Sequence, residues 1–121
     1  MKIVLPWPDP RLFPNWKRAH HWAKYHGVAK NARSTACLLT RSAMARAKRS
    51  KAEFAGDGPM PIRVSFYPPD LRKRDDDGVI GAIKHHRDGV ADALAVDDAR
   101  FKPEYIFEAV DRINPRVEFE V

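Results

Sequence analysis

Apolar and polar residues alternate along several short segments, and this period of two is typical of half-buried strands. The clearest case is "IRVSFY" at residues 62–67, where Ile, Val and Phe alternate with more polar neighbours. Residues 2–7 predict another strand, which the prolines of "PWPDP" end because they remove backbone donors. Near the C-terminus, residues 103–110 and 116–121 predict two strands that a turn at "DRINP" joins as a hairpin.

Two other segments show the helical period, with apolar residues on one face and charged residues on another. The first begins at about Asn15, with a possible break at Gly27, and is clearer from Val28 to Lys51. The second runs from about Asp77 to Leu94. The order of elements is therefore β-α-β-α-β-β. This order predicts a single domain of the α/β (α+β) class, in which helices cover a small mixed sheet on at least one face.

The length of 121 residues suits one domain with one core. No apolar run is long enough to span a bilayer, and the N-terminus lacks the pattern of a secretory signal. The sequence thus predicts a cytoplasmic protein with no membrane partner. The single cysteine, Cys37, can form neither an internal disulfide nor a four-thiolate zinc site.

Charge is distributed unevenly along the chain, whose net charge is +6. Eleven of the 22 Lys and Arg residues lie between Arg11 and Lys51, where there is no Asp or Glu, so all 16 acidic residues lie elsewhere. This asymmetry favours binding to a polyanion such as nucleic acid, although a solvated basic face is the alternative. The candidate DNA-binding residues are Lys30, Arg33, Arg41, Lys48, Arg72, Lys73 and Arg74.

The run "RKRDDD" is a candidate Mg²⁺ site, because Mg²⁺ prefers oxygen ligands and takes one or two carboxylates with water and phosphate oxygens. Side chains two apart in an extended segment point the same way, so Asp75 and Asp77 are expected to converge while Asp76 points away. Asp98 could join them only if the chain folds back along a neighbouring element. Alternatively, the aspartates merely cap a helix in a self-neutralising surface turn.

On the second predicted helix, Lys84 lies in the same strip as Asp77 and Asp88, next to the apolar stripe. Lys84 could therefore serve the acidic site, or it could simply pair with Asp88. Gly81, at the edge of this strip, would either admit another backbone or be weakly packed. The histidines at positions 85 and 86 lie off the strip and are expected to face solvent.

The segments "LPWP", "FYPPD", "RKRDDD", "DGVADAL" and "VDDARF" together resemble the RusA-type Holliday junction resolvases, over nearly the whole chain. The resemblance implies a homodimeric crossover junction endodeoxyribonuclease that acts in DNA recombination and repair. Such an enzyme depends on Mg²⁺, with Mn²⁺ as a substitute, and resolves four-way (branched) DNA junctions by paired symmetrical nicks. The catalytic residues that it implies are Asp75, Asp77, Asp98 and Lys84, of which the three aspartates bind the metal.

Two features depart from that family's pattern. The family usually has asparagine directly after its second aspartate, where this chain has Gly78. Its lysine commonly follows that aspartate by one helical turn, whereas Lys84 follows Asp77 by two. A non-catalytic DNA-binding or architectural protein is the alternative function.

Overall fold

A mixed sheet of four strands forms one layer of the protein, and helices pack on one of its faces. The computed structural model describes all of residues 1–121. Its strands and helices are β1 (Lys2–Pro6), α1 (Pro14–Ala19), α2 (His26–Arg46), β2 (Met60–Tyr67), α3 (Asp76–Ala82), α4 (Lys84–Leu94), β3 (Phe101–Phe107) and β4 (Arg116–Glu120). The predicted mixed α+β domain is confirmed. None of the helices combines the length and hydrophobicity needed to cross a bilayer.

The sheet has the strand order β1-β4-β2-β3. Strand β4 pairs antiparallel with both β1 and β2, whereas β3 pairs parallel with β2. The predicted C-terminal hairpin is therefore wrong. Val117 and Phe119 of β4 are fully buried, and a central position covers both edges of this strand, which a terminal hairpin would leave partly open.

The strands bury alternate residues and thereby place one apolar face against the helices. Ile3, Leu5, Val64 and Phe66 are almost completely buried and belong to the main core. The opposite face is polar, with ion pairs such as Lys2 to Glu118 at 3.3 Å. The helical layer therefore lies on one side of the sheet.

Helices α2 and α4 pack closely because small residues face each other. A Cβ atom at Gly89 of α4 would lie only 2.2 Å from the carbonyl oxygen of Arg33 and 2.8 Å from the Cβ of Ala36. Helix α2 ends at Arg46, five positions before the predicted end, and Lys48 has a left-handed φ of 53°. Lys48 is therefore beyond the helix whose basic face it was expected to share.

The second predicted helix is interrupted at Ile83, which ends α3 and precedes α4 with φ −99° and ψ 10°. Ile83 itself remains buried. His86 was expected to face solvent but is only 3% exposed. It precedes the buried residues Gly89 and Val90 by three and four positions, and this spacing places it on the core face of α4.

Candidate metal and DNA-binding site

The aspartate run lines an open depression between the start of α3 and helix α1. The residues of this acidic depression are Pro14, Asn15, Arg18, Asp75, Asp76, Asp77 and Gly78. Proline suits the first position of α1, because its missing N–H would have no partner there and its φ is already helical. The start of α1, with its proline, and the start of α3, with its aspartates, thus form the two sides of the depression.

Asp76 was predicted to point away from Asp75 and Asp77; it borders the acidic depression and also a second groove lined by Trp7 and Asp70. That prediction assumed an extended chain, but α3 begins at Asp76, so only Asp75 keeps an extended conformation, with φ −72° and ψ 138°. In the first turn of a helix, successive side chains turn by about 100° and do not alternate. All three aspartates therefore border the depression, but only Asp76 is shared with the second groove.

The three carboxylates are exposed and take part in no ion pair. The nearby Arg18 donates a hydrogen bond to the Asn15 side chain and forms no ion pair with them. Two carboxylates with open access for water and a phosphate oxygen match the donor set that Mg²⁺ takes in proteins. Asp75 and Asp77 therefore have suitable chemistry for a water-rich metal site.

Asp98 lies outside the acidic depression. Arg87 of α4 donates a 2.9 Å hydrogen bond to its backbone carbonyl oxygen, and the Arg87 Nε lies 3.7 Å from the Asp98 carboxylate. Asp98 precedes β3, whose start pairs with the start of β2, whereas Asp75 follows the end of β2. No group of three or more His, Cys, Asp or Glu side chains is arranged to hold a metal ion. The predicted three-aspartate group is thus not assembled within one chain.

Lys84 is exposed at the first position of α4 and forms no ion pair with Asp88, so the simple helix pair is not observed. Its neighbours are instead Lys17 of α1 and His85. The Nζ atom of Lys17 lies 3.1 Å from Nε2 of His85. Burial, followed by the charge of Lys84, lowers the pKa of Lys17.

Sequence reasoning predicted helical structure from about Asn15 but missed that this segment, as α1, contributes to the site. Helix α1 supplies Asn15 and Arg18 to the acidic depression and Lys17 to the neighbourhood of Lys84. Apart from the helical pattern, the local signal was a proline followed by the polar run "NWKR", which does not indicate a site. Gly81 explains how α1 comes so close, because a Cβ there would lie 2.7 Å from the Pro14 ring. The close approach expected at Gly81 is thus made by a proline side chain.

The predicted DNA-binding cations of α2 differ in whether they form ion pairs within the protein. Lys30 and Arg41 are exposed and unpaired, and they flank a shallow groove on α2. Arg33 instead forms a bidentate pair with Asp92 of α4, with distances of 2.6 and 2.9 Å. Hydrogen bonding to Arg33 lowers the pKa of Asp92. Arg33 therefore connects the two helices and is less available to an external anion.

Of the three cations before the acidic run, two are exposed and one is held by contacts within the protein. Arg72 and Lys73 are exposed. Arg74 is half-buried, donates to the Asp70 carboxylate at 2.7 Å and lies 5.4 Å from the centre of the Trp7 ring. It fixes the loop that leads to Asp75. Arg72 and Lys73 thus remain the candidates for contact with DNA.

Comparison with known proteins provides a relative without a functional description. No family model matches the chain. An uncharacterized protein of Xylella fastidiosa (strain Temecula1 / ATCC 700964) is 38% identical over 99 residues, which are 82% of this chain and 61% of that protein. The chain therefore spans less than two thirds of this relative's length.

Proposed function

We propose that this protein is a Mg²⁺-dependent, structure-selective endonuclease that resolves four-way DNA junctions by paired nicks, as its resemblance to the RusA-type resolvases implies. The observation that supports this proposal is the acidic depression, in which three unpaired carboxylates face solvent beside Arg18. Unpaired carboxylates on a protein of net charge +6 are unexpected if the surface serves only to bind a polyanion, because they repel it.

Asp75 and Asp77 are the residues that would hold the metal. When bound, Mg²⁺ supplies a Lewis acid that activates water and neutralises charge developing on the phosphate. Arg18 presents a planar guanidinium that can donate two parallel hydrogen bonds to phosphate oxygens, and it would orient the DNA strand over the carboxylates. Lys84 would add positive charge along the same strand.

Basic residues outside the depression would hold the rest of the junction. Lys30, Arg41, Arg72 and Lys73 are exposed and form no ion pair. Their contacts with phosphates would supply affinity that does not depend on sequence. A four-way junction has two equivalent strands, so a two-fold homodimer would present one acidic depression to each of them.

A cleavage assay on a synthetic four-way junction, with and without Mg²⁺, tests the proposal. We expect Asp75→Asn and Asp77→Asn each to abolish nicking while junction affinity is kept, since each removes a metal ligand and no cation. Asp57→Asn is the matched control, because Asp57 is an exposed loop aspartate outside the depression. Near-normal cleavage by Asp77→Asn would eliminate the proposed metal site.

Lys84 and Asp98 need separate variants because their roles rest on the resemblance. If Lys84 stabilises transition-state charge, Lys84→Ala should slow single-turnover cleavage by roughly thirtyfold to a thousandfold and change binding far less. A rate within a few-fold of wild type would remove Lys84 from the catalytic residues. The role of Asp98 stays a prediction, and normal cleavage by Asp98→Asn would exclude it.

A non-catalytic DNA-binding or architectural protein is the second candidate. The observation that favours it is the absence, within one chain, of a group of three acidic or other metal-binding side chains. Asp75 would then act only as a residue at the start of α3, where carboxylates interact favourably with the helix dipole. Binding of the junction without cleavage, over a broad range of Mg²⁺ and Mn²⁺ concentrations, would favour this alternative.

A further inference from the structure

Lys17 of α1 lies near Lys84 and His85 of α4, and no carboxylate forms an ion pair with either lysine. The members of this lysine–histidine cluster are Lys17, Lys84 and His85. The Lys17 ammonium lies 3.1 Å from the His85 ring nitrogen and 5.3 Å from the centre of the Tyr25 ring. The Tyr25 ring thus helps to hold this cation in place.

Burial and the nearby positive charges disfavour the charged forms of Lys17 and His85. Burial and then Lys84 lower the pKa of Lys17, while burial and then Lys17 lower the pKa of His85. Of the carboxylates, only Asp88 acts on His85 in the opposite sense, and the other nearby cation, Arg33, is already paired with Asp92. An anion placed between the ammonium groups would relieve this repulsion.

The donors suit a phosphate group. Each ammonium offers three N–H donors and an imidazole offers at least one, whereas a phosphodiester offers oxygens that only accept hydrogen bonds. Lys17 immediately precedes Arg18, and so the same turn of α1 faces both the cluster and the acidic depression. A DNA strand that passes Arg18 would therefore also pass the cluster.

We propose that Lys17, Lys84 and His85 together bind one backbone phosphate of the DNA strand whose neighbouring phosphate lies at the acidic depression. This inference rests on the proposed function for its choice of ligand. It assigns to Lys17 and His85 a phosphate-binding role that no sequence pattern indicates.

The salt dependence of junction binding tests this inference in the absence of metal, where no cleavage occurs. Affinity for a synthetic four-way junction would be measured in EDTA between about 50 and 200 mM salt for wild type, Lys17→Gln, Lys84→Gln and the double variant. Removal of one phosphate-binding interaction should reduce the slope of log affinity against log salt by about 0.9. Glutamine keeps an aliphatic stem against Tyr25, which guards against unfolding, and circular dichroism verifies the fold.

We expect each single variant to weaken binding several-fold and to lower the slope by about 0.9. The double variant should lower the slope by no more than about 0.9, because both lysines bind one phosphate. Lys17→Arg should restore most of the slope. Lys102→Gln is the matched control, since Lys102 is an exposed lysine of β3 outside the cluster.

Three results would overturn the inference. One is a double variant whose slope falls by twice that amount, because the lysines would then bind separate phosphates. Another is a Lys17→Gln slope equal to that of Lys102→Gln. The third is a wild-type protein that does not bind the junction. A protein that binds the junction but never cleaves it would refute the proposed endonuclease activity. The salt slopes of the variants would still decide whether the phosphate site exists.

Discussion

Replacement of Gly89 by alanine tests the close packing of α4, the helix that carries Lys84, against α2. Gly89 lies where α4 crosses α2, and an added Cβ would lie 2.2 Å from the Arg33 carbonyl oxygen and 3.0 Å from its carbonyl carbon. Both atoms belong to the backbone of a helix, so no side chain can rotate to make room. The two helices would have to separate by about 1 Å to restore ordinary contact distances.

The expected loss of stability is about 2 kcal/mol. Overpacking of a core typically costs about 1–3 kcal/mol, and a clash with backbone belongs at the upper end of that range. The alanine recovers about 0.5–1 kcal/mol, because glycine is a poor residue in a helix interior. For a domain of this size, the balance corresponds to a fall of roughly 6–10 °C in Tm.

Urea unfolding followed by circular dichroism measures this loss, with the midpoint expected to fall at an unchanged m value. The control is Gly27→Ala in the first turn of α2, where an added Cβ would meet nothing within 4 Å. That variant should be as stable as wild type or more stable, by up to about 1 kcal/mol. A Gly89→Ala protein at least as stable as wild type would refute the close crossing of α2 and α4.

Two further predictions concern charge. Burial lowers the pKa of His86 from 6.5 to about 4, so its contribution to stability is fully present above pH 6.5. As the pH falls toward 4, only the unfolded chain takes up the proton, so the free energy of unfolding should fall by up to about 3 kcal/mol. In urea titrations at several pH values, His86→Leu should flatten this dependence. For DNA binding, Arg41→Gln should lower the salt slope by up to about 0.9, whereas Arg33→Gln should change it less because Asp92 already pairs with Arg33. Equal slopes for these two variants would contradict the division of α2 into free and paired cations.

Local patterns in the sequence determined the elements and the direction of their buried faces. The alternation of "IRVSFY" predicts β2, whose Ile62, Val64 and Phe66 are buried as expected. The helical period predicts α2 and the buried Ala36 and Ala43. These features depend on which side of a single element is apolar, and an apolar stripe buries itself in almost any arrangement of the chain.

Strand pairing was decided by the tertiary structure. The segments of β3 and β4 are neighbours in sequence and would form a hairpin if local contacts alone counted. Yet β4 lies between β1 and β2, while β3 pairs with β2 on its other side. In the centre of the sheet, β4 forms backbone hydrogen bonds along both of its edges, to β1 and to β2. A pattern with a period of two does not specify the neighbour that a strand will have.

The sequence likewise determined one part of the candidate site, and the tertiary structure determined the other. The sequence alone indicated the run of aspartates and the nearby basic residues, because like charges that are adjacent in the chain are visible without a fold. Only the tertiary structure brought Lys17 and Arg18 of α1 to α3 and α4, through the space left at Gly81. It also placed Asp98 beside Arg87 and outside the depression that Asp75, Asp76 and Asp77 border. Residues distant in sequence meet only where backbones pack, and that packing depends on the volumes of side chains on several elements at once.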